Sequence, residues 1–105
     1  MITIHHHPDS TFARRVTMAL IEKDIPHQKV LVDMAAREHR SPAYRALNPY
    51  GRVPTLVDDG FVLSESTAIL DYLEACFPAP ALVPADVQGR ALVAMHMKLC
   101  DLQMA

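Results

Sequence analysis

The sequence predicts a small α/β domain, and three observations support this fold class. Half of the 105 residues are apolar and 21% are charged, so the chain can form one packed core. Short β-prone runs alternate with segments of helical periodicity, in the order β, α, β, α, β, β, α. A long helix with apolar positions on one side follows, and neither repeats nor low-complexity segments interrupt the order.

The first strand and the first helix occupy the start of the chain. Residues 1–5 alternate modestly between apolar and polar types and favour a strand. After a short loop, Ser10 or Thr11 can cap a helix, because either hydroxyl can accept a hydrogen bond from the first turn. Apolar residues recur at helical spacing from Phe12 until residues 23–26, where the helix ends.

The next elements are a strand and a short helix. Residues 27–32 carry valine and leucine at alternating and adjacent positions, which we interpret as a second strand buried on both faces. Residues 34–40 are polar and predict no defined element. Ser41 followed by Pro42 is typical of an N-cap and a first helical position, so we expect a short helix through Leu47.

The central stretch predicts a β-hairpin. Residues 48–51 end the short helix, and residues 55–57 and 61–63 are two short β runs. Asp59 and Gly60 between them are typical of a hairpin turn. The hairpin leads directly into the next helix.

Two helices complete the chain. The first spans residues 65–75 and has one apolar face that we expect in the core: Ala68, Ile69, Tyr72, Leu73 and Cys76. The second spans residues 87–104 and has an apolar stripe on one side: Leu92, Met95, Leu99 and Leu102. This stripe predicts packing against another chain, as in a homodimer, or against residues outside this sequence.

Two features of the central stretch indicate a ligand. Val53 and Pro54 precede a strand at a point where proline donates no hydrogen bond, so the backbone N–H and C=O of Val53 can remain free. Glu65 and Ser66 stand at a helix N-terminus, where unpaired N–H groups and the helix dipole attract a carboxylate. An extended, peptide-like ligand with a carboxylate at one end would satisfy both features.

Four short blocks follow one another along the chain: Ser-Thr at 10–11 ahead of Arg-Arg-Val at 14–16, Glu-His-Arg-Ser-Pro at 38–42, Asn-Pro-Tyr-Gly-Arg-Val-Pro at 48–54, and Ser-Glu-Ser-Thr-Ala-Ile at 64–69. In this combination the chain resembles the N-terminal, thioredoxin-like domain of the glutathione S-transferase superfamily, closest to its serine-type, phi-like and bacterial members. The resemblance implies a thioredoxin-like βαβαββα domain that binds glutathione over residues 1–80. It also implies a linker and the first helix of a truncated, all-helical second domain over residues 81–105.

The resemblance implies roles for residues around the glutathione sulfur. Ser10 would donate a hydrogen bond to the sulfur, with Thr11 beside it as the local alternative. Val53 would hold the cysteinyl backbone through its own N–H and C=O, and its bond to Pro54 would be cis.

The resemblance also assigns the two charged ends of glutathione. Ser66 would receive the γ-glutamyl carboxylate, and Glu65 would face the ammonium group. His39 and Arg40 would meet the glycine carboxylate. Arg52, which replaces the glutamine or lysine common at its position, would reach the same end, where arginine can bind a carboxylate through two hydrogen bonds.

Plainer explanations exist for several of these groups. Ser10 can act as a helix cap alone, and His39, Arg40 and Arg52 can form a solvated basic face. The consecutive histidines at 5–7 do not indicate a metal site, because neighbouring strand side chains point to opposite faces. We therefore expect no metal.

The leading hypothesis is a glutathione S-transferase-like protein that stabilises the glutathione thiolate for attack on a small electrophile. The alternative is a non-catalytic module of the same family, used for glutathione binding or protein association. A dithiol oxidoreductase on the same fold is disfavoured, because no cysteine lies near Ser10.

Bulk properties narrow the partners and the location. A formal net charge of −2 provides no basic footprint for nucleic acid. No apolar run reaches the ~18 residues of a membrane span, so we expect no membrane association. The two cysteines lie far apart and form no CxxC pair, which favours a reducing cytoplasm.

Overall fold

The structure, a computed structural model, describes residues 1–104 and the side chains of residues 1–102. Its strands are β1 (Ile2–His6), β2 (His27–Leu31), β3 (Thr55–Asp58) and β4 (Phe61–Ser64). Its helices are α1 (Thr11–Glu22), α2 (Pro42–Leu47), α3 (Ser66–Cys76) and α4 (Val87–Met104), with a 3-10 turn at Glu38–Arg40 before α2. Every predicted strand and helix is confirmed, and the 3-10 turn is an addition.

The four strands form one mixed sheet in the order β2-β1-β3-β4. Strands β1 and β2 run parallel and are connected through α1, whereas β3 runs antiparallel to β1 and β4 runs antiparallel to β3. This is the thioredoxin-like arrangement that the resemblance implied, followed by one long C-terminal helix.

The main core lies between the sheet and the helix pair α1 and α3. Ile4 of β1 and Leu56 of β3 lie opposite each other in the register and are fully buried. The helices contribute residues at helical spacing to the same core: Val16, Leu20, Ile69 and Leu73. Because each such side chain stabilises the fold by about 1.5–3 kcal/mol on burial, this core fixes β3 and α3 firmly.

A smaller core holds α2 against the opposite face of the sheet. Its buried members are Ala13, Val32, Tyr44 and Val53. The Tyr44 ring meets the His5 ring of β1 edge-on, with 6.1 Å between the ring centres. This second core brings the first turn of α1 close to the loop that precedes β3.

The prediction that β2 is buried on both faces is wrong. The strand lies at the edge of the sheet and pairs only with β1, and Val30 and Leu31 are 39% and 56% exposed. Val32, just beyond the strand, is fully buried. Composition did not indicate the edge position, because strand order is set by tertiary pairing and not by the local pattern.

The apolar face predicted for α3 is confirmed in the middle of the helix and wrong at two of its positions. Ile69 and Leu73 are fully buried, and Tyr72 is partly buried. Ala68 is exposed because it borders a groove between α3 and α4. Cys76 is exposed because it is the last residue of the helix, where the chain leaves the core.

Helix α4 stands partly away from the rest of the chain. An ion pair between Arg15 and Asp101, 2.6 Å long, connects it to α1, and a groove of about 840 Å³ separates it from α1 and α3. Its predicted apolar residues, from here on the α4 stripe, are 47–62% exposed: Leu92, Met95, Leu99 and Leu102. Among the described residues, no helix combines the length and the apolar character needed to cross a membrane.

Candidate glutathione site

The segment 48–54 turns sharply between α2 and β3. Asn48 ends α2, and its backbone N–H donates to the carbonyl of Tyr44 at 2.8 Å. Gly51 has a φ of +63°, and a Cβ at this position would lie 2.7 Å from the carbonyl oxygen of His39. Glycine alone accommodates both the backbone angle and the close approach, so the loop lies directly against the 3-10 turn.

Val53 presents a free backbone edge at the end of this loop. Its bond to Pro54 is cis, as the resemblance implied. Strand β3 begins only at Thr55, and within residues 1–104 neither the N–H nor the C=O of Val53 forms a hydrogen bond. These two groups, from here on the Val53 edge, can pair with the backbone of an extended peptide.

The N-terminus of α3 is open. Glu65, which precedes the helix, has a positive φ of +72°, and such a sparsely populated conformation costs about 1–3 kcal/mol for a residue with a side chain. No side chain of residues 1–102 caps this helix, so its first N–H groups and its positive dipole end are available to an anion. Ser66, the first helical residue, is buried at this end.

The β-hairpin brings the Val53 edge and this helix terminus together. Thr55 lies opposite Ser64 in the antiparallel register. Val53 precedes Thr55 by two residues and Ser66 follows Ser64 by two, so both lie beyond the same end of the hairpin. An extended ligand can therefore reach both features at once.

Of the two neighbouring hydroxyl residues, Ser10 and not Thr11 is the N-cap of α1. Its Oγ accepts a hydrogen bond from the N–H of Ala13 at 3.1 Å, whereas Thr11 is already helical and exposed. Because Oγ is the acceptor in that bond, its own proton remains available to donate elsewhere. A cleft of about 540 Å³ opens between this helix start and Met34.

The three basic candidates lie on segments that contact each other. His39 and Arg40 belong to the 3-10 turn, and Arg52 belongs to the loop that the turn supports. The Nδ1 atom of His39 is buried and has no hydrogen-bond partner among the described residues. Arg40 and Arg52 are exposed. Exposed guanidinium groups next to a free backbone edge are suited to a ligand carboxylate.

A buried polar network under the loop was missed by the sequence analysis. The Tyr44 hydroxyl donates to the carbonyl of Arg52 at 2.6 Å, and the Asn48 amide donates to the same carbonyl at 3.0 Å and to Thr55 Oγ1 at 3.1 Å. Burial raises the pKa of Tyr44, against the lowering effect of its bonds to Thr55 and Asn48, so the hydroxyl keeps its proton at neutral pH. The available signal was the i, i+4 spacing of Tyr44 and Asn48.

The profile of the family described as "Glutathione S-transferase, N-terminal domain" matches residues 9–76. The chain belongs to the glutathione S-transferase family. The matched range runs from the start of α1 to the end of α3 and contains every candidate residue of the site.

Two curated relatives and one solved structure illustrate the similarity. Maleylacetoacetate isomerase of Pseudomonas aeruginosa is 48% identical over 85 residues, which cover 78% of this chain and 40% of that protein. Maleylpyruvate isomerase of Ralstonia sp is 41% identical over 81 residues, covering 77% and 38%. A glutathione transferase homologue from Sulfitobacter, solved with bound glutathione, has a TM-score of 0.89 and 38% identity, covering 93% of this chain and 47% of that one. The chain thus spans well under half the length of these curated relatives.

In this glutathione S-transferase-family domain, the groove of about 840 Å³ is separate from the Val53 edge. It lies between α1, α3 and α4 and reaches the candidate site only at Glu65. At its wall, the buried Lys23 ammonium contacts Glu74 at 2.7 Å and donates to the carbonyls of Phe77 and Pro80 at 2.6 and 2.7 Å. These bonds attach the segment after α3 to the end of α1, which gives Lys23 a structural role.

Proposed function

We propose that this chain binds glutathione along the Val53 edge and stabilises its thiolate for attack on a small electrophile. The observation that carries the proposal is the free N–H and C=O of Val53 beside the open N-terminus of α3. Membership of the family, and the glutathione bound to the Sulfitobacter homologue, support it. In this proposal the tripeptide lies extended, as an added strand would.

Charge complementarity gives the tripeptide its direction. The γ-glutamyl carboxylate meets the first N–H groups of α3 and the Ser66 hydroxyl, and Glu65 faces the ammonium group. The glycine carboxylate lies toward Arg40 and Arg52. The unpartnered Nδ1 of His39 adds a polar group at that end.

Ser10 is the proposed contact of the glutathione sulfur. A free cysteine thiol has a pKa of about 8.5 and is mostly protonated at neutral pH. The Ser10 hydroxyl, whose proton is not used in the bond from Ala13, donates to the sulfur, and the N-terminal end of α1 adds a positive potential. Both effects favour the thiolate, and Thr11 extends the same polar surface.

The thiolate then attacks an electrophilic carbon. A sulfur–carbon bond forms, the leaving group departs with its bonding electron pair, and the thiol proton passes to bulk water. A second candidate reaction is isomerisation, because two of the relatives are isomerases. A thiolate can catalyse such a reaction by adding to a conjugated double bond, after which the resulting single bond rotates and the thiolate is expelled unchanged.

The remaining parts of the proposal concern assembly and location. Residues 1–80 form the glutathione-binding domain and residues 81–105 form a linker and the first helix of a helical domain, in keeping with a family match that ends at residue 76. A second copy of the chain covers the α4 stripe in a homodimer. Both cysteines are free, which suits a cytoplasmic location.

Calorimetric titration with glutathione tests the binding. Ser66→Ala is expected to weaken binding about tenfold, because it removes a hydrogen bond to a charged carboxylate. Thr17→Ala, which removes a hydroxyl from the surface of α1, is the matched control and should bind as the wild type does. Equal affinity for the wild type and Ser66→Ala would remove the ligand assignment.

Conjugation of glutathione to a chlorodinitrobenzene tests the chemistry. Ser10→Ala is expected to lower the rate about 10²-fold at neutral pH and to recover at high pH, where the thiolate forms unaided. Ser10→Thr retains a hydroxyl and a cap and should keep most of the rate. Binding without turnover in the wild type would favour the non-catalytic module instead.

A further inference from the structure

The carbonyl of Arg52 is held from the protein interior by three buried side chains, from here on the Arg52 clamp. Tyr44 and Asn48 both donate to it, at 2.6 and 3.0 Å, and Thr55 Oγ1 lies 2.8 Å from the Tyr44 hydroxyl and 3.1 Å from the Asn48 amide nitrogen. One set of directions uses every side-chain proton: Tyr44 and Asn48 donate to the carbonyl, Asn48 also donates to Thr55, and Thr55 donates to Tyr44.

Asn48 is also fixed by its remaining polar groups. Its Oδ1 accepts from the N–H of Tyr50 at 3.0 Å, and its own backbone N–H donates to the Tyr44 carbonyl at 2.8 Å. A buried network in which every side-chain proton is used makes the loop rigid. The Arg52 carbonyl therefore has one direction, toward the interior.

The direction of this carbonyl determines the direction of the Val53 N–H. The two groups belong to the same peptide unit, which is trans and planar, so they point in opposite directions. A carbonyl that points inward leaves the Val53 N–H pointing outward. That N–H has no partner within residues 1–104.

We infer that Tyr44, Asn48 and Thr55 are positioning residues for glutathione: by holding the Arg52 carbonyl inward, they direct the Val53 N–H at the ligand backbone. The inference rests on the proposed function and adds to it. The three side chains are 6%, 2% and 0% exposed, so they act through Val53 and do not touch the ligand. A network with only a structural role would change stability when disrupted but not the affinity of a folded chain for glutathione.

The test compares two tyrosine hydroxyls by calorimetry with glutathione and by thermal unfolding. Tyr44→Phe removes a donor to Arg52 while keeping the ring, and it is expected to weaken glutathione binding about fivefold. Tyr72→Phe removes a hydroxyl that donates to Asp58 at 2.7 Å, away from the loop. We expect Tyr72→Phe to lose stability and to bind glutathione as the wild type does.

A second pair keeps the test valid if Tyr44→Phe folds poorly. Thr55→Val removes the hydroxyl at constant shape and is expected to weaken glutathione binding several-fold. Thr55→Ser keeps the hydroxyl and should retain the wild-type affinity for glutathione. Amide hydrogen exchange adds a direct readout. Bound glutathione should slow exchange of the Val53 N–H less in Thr55→Val than in Thr55→Ser.

The outcomes separate this inference from the proposed function. If the wild type binds glutathione and Tyr44→Phe, Thr55→Val and Thr55→Ser all bind equally well, the Arg52 clamp has a structural role only and the inference is overturned. If the wild type does not bind glutathione, the proposed function fails and the inference fails with it. Weakened binding in Tyr44→Phe and Thr55→Val, with Tyr72→Phe and Thr55→Ser unaffected, supports it.

Discussion

The loop at the Val53 edge and helix α4 differ in how their positions are determined. The loop is fixed by local constraints: a glycine that alone fits against His39, a fully paired Asn48, and a carbonyl held by the Arg52 clamp. Helix α4 is connected to α1 by the Arg15–Asp101 ion pair, and the α4 stripe is exposed. Polar and steric constraints thus shape the proposed binding site, whereas apolar surface on α4 remains available for a partner.

Core and stripe leucines give the largest expected contrast between these regions. Leu56→Ala removes a fully buried side chain and is expected to lower the free energy of unfolding by about 3 kcal/mol. Leu99→Ala, on the half-exposed stripe, should cost under ~1 kcal/mol at low protein concentration. Chemical denaturation measures both. An equal cost at all concentrations would mean that the α4 stripe packs within its own chain.

The sequence predicted most of the fold because its boundaries are marked by residues with a specific backbone effect. Ser10, Pro42 and Gly60 mark a cap, a first helical position and a hairpin turn, and the elements lie where these residues predicted. Burial of β2 was predicted wrongly, because a run containing Val30 and Leu31 does not reveal which strands will flank it.

The same limit applies to the candidate site. Val53 and Ser66 were found from local signals, a following proline and a helix start. The Arg52 clamp was missed because Tyr44 and Thr55 are eleven positions apart and meet only after α2 folds back on the sheet. Its other member, Asn48, lies four residues after Tyr44, but the local pattern around it predicts only the end of a helix and does not name the carbonyl that it holds.

Two glycine variants, one in the loop and one in the turn between β3 and β4, test how firmly the loop is fixed. Gly51→Ala introduces a Cβ at a φ of +63° and 2.7 Å from the His39 carbonyl, and we expect it to cost about 2–3 kcal/mol. Gly60→Ala, at a φ of +90° with no atom within 4 Å, carries the backbone cost alone, about 1 kcal/mol. Urea denaturation of both variants measures the difference. Equal costs would show that the loop can move away from His39.

Loss of the α1–α4 ion pair is expected to have a smaller effect. Arg15→Gln breaks the 2.6 Å contact with Asp101, which is partly exposed, and should lower stability by about 0.5–1 kcal/mol. The rate of amide hydrogen exchange should rise in α4 and not in β3, because the ion pair attaches α4 to α1 and does not involve the sheet. The neighbouring Arg14→Gln is the matched control. Faster exchange across the whole domain would contradict the partial independence of α4.

The smallest expected effect is a pH dependence near the second core. Burial lowers the pKa of His5 from its ordinary 6.5, against a raising effect of Glu38, so the folded chain binds its proton less readily than the unfolded chain. Its stabilising contribution is therefore present above pH 6.5 and is lost as the pH falls through 6.5 toward the lower folded value. His5→Gln should flatten the stability curve between pH 7.5 and pH 5.5.

Burial also lowers the pKa of His6, so part of the slope of stability against pH remains in His5→Gln. An identical slope in His5→Gln and the wild type would show that His5 does not contribute.

Nuclear magnetic resonance of the ¹⁵N-labelled chain during a glutathione titration tests the central claim most directly. The account predicts that the amide signals of Val53 and Ser66 shift together with one saturating curve, because the backbone of one residue and the helix terminus of the other meet the same molecule. Saturable shifts confined to α4 and its groove, with both amides unmoved, would contradict it.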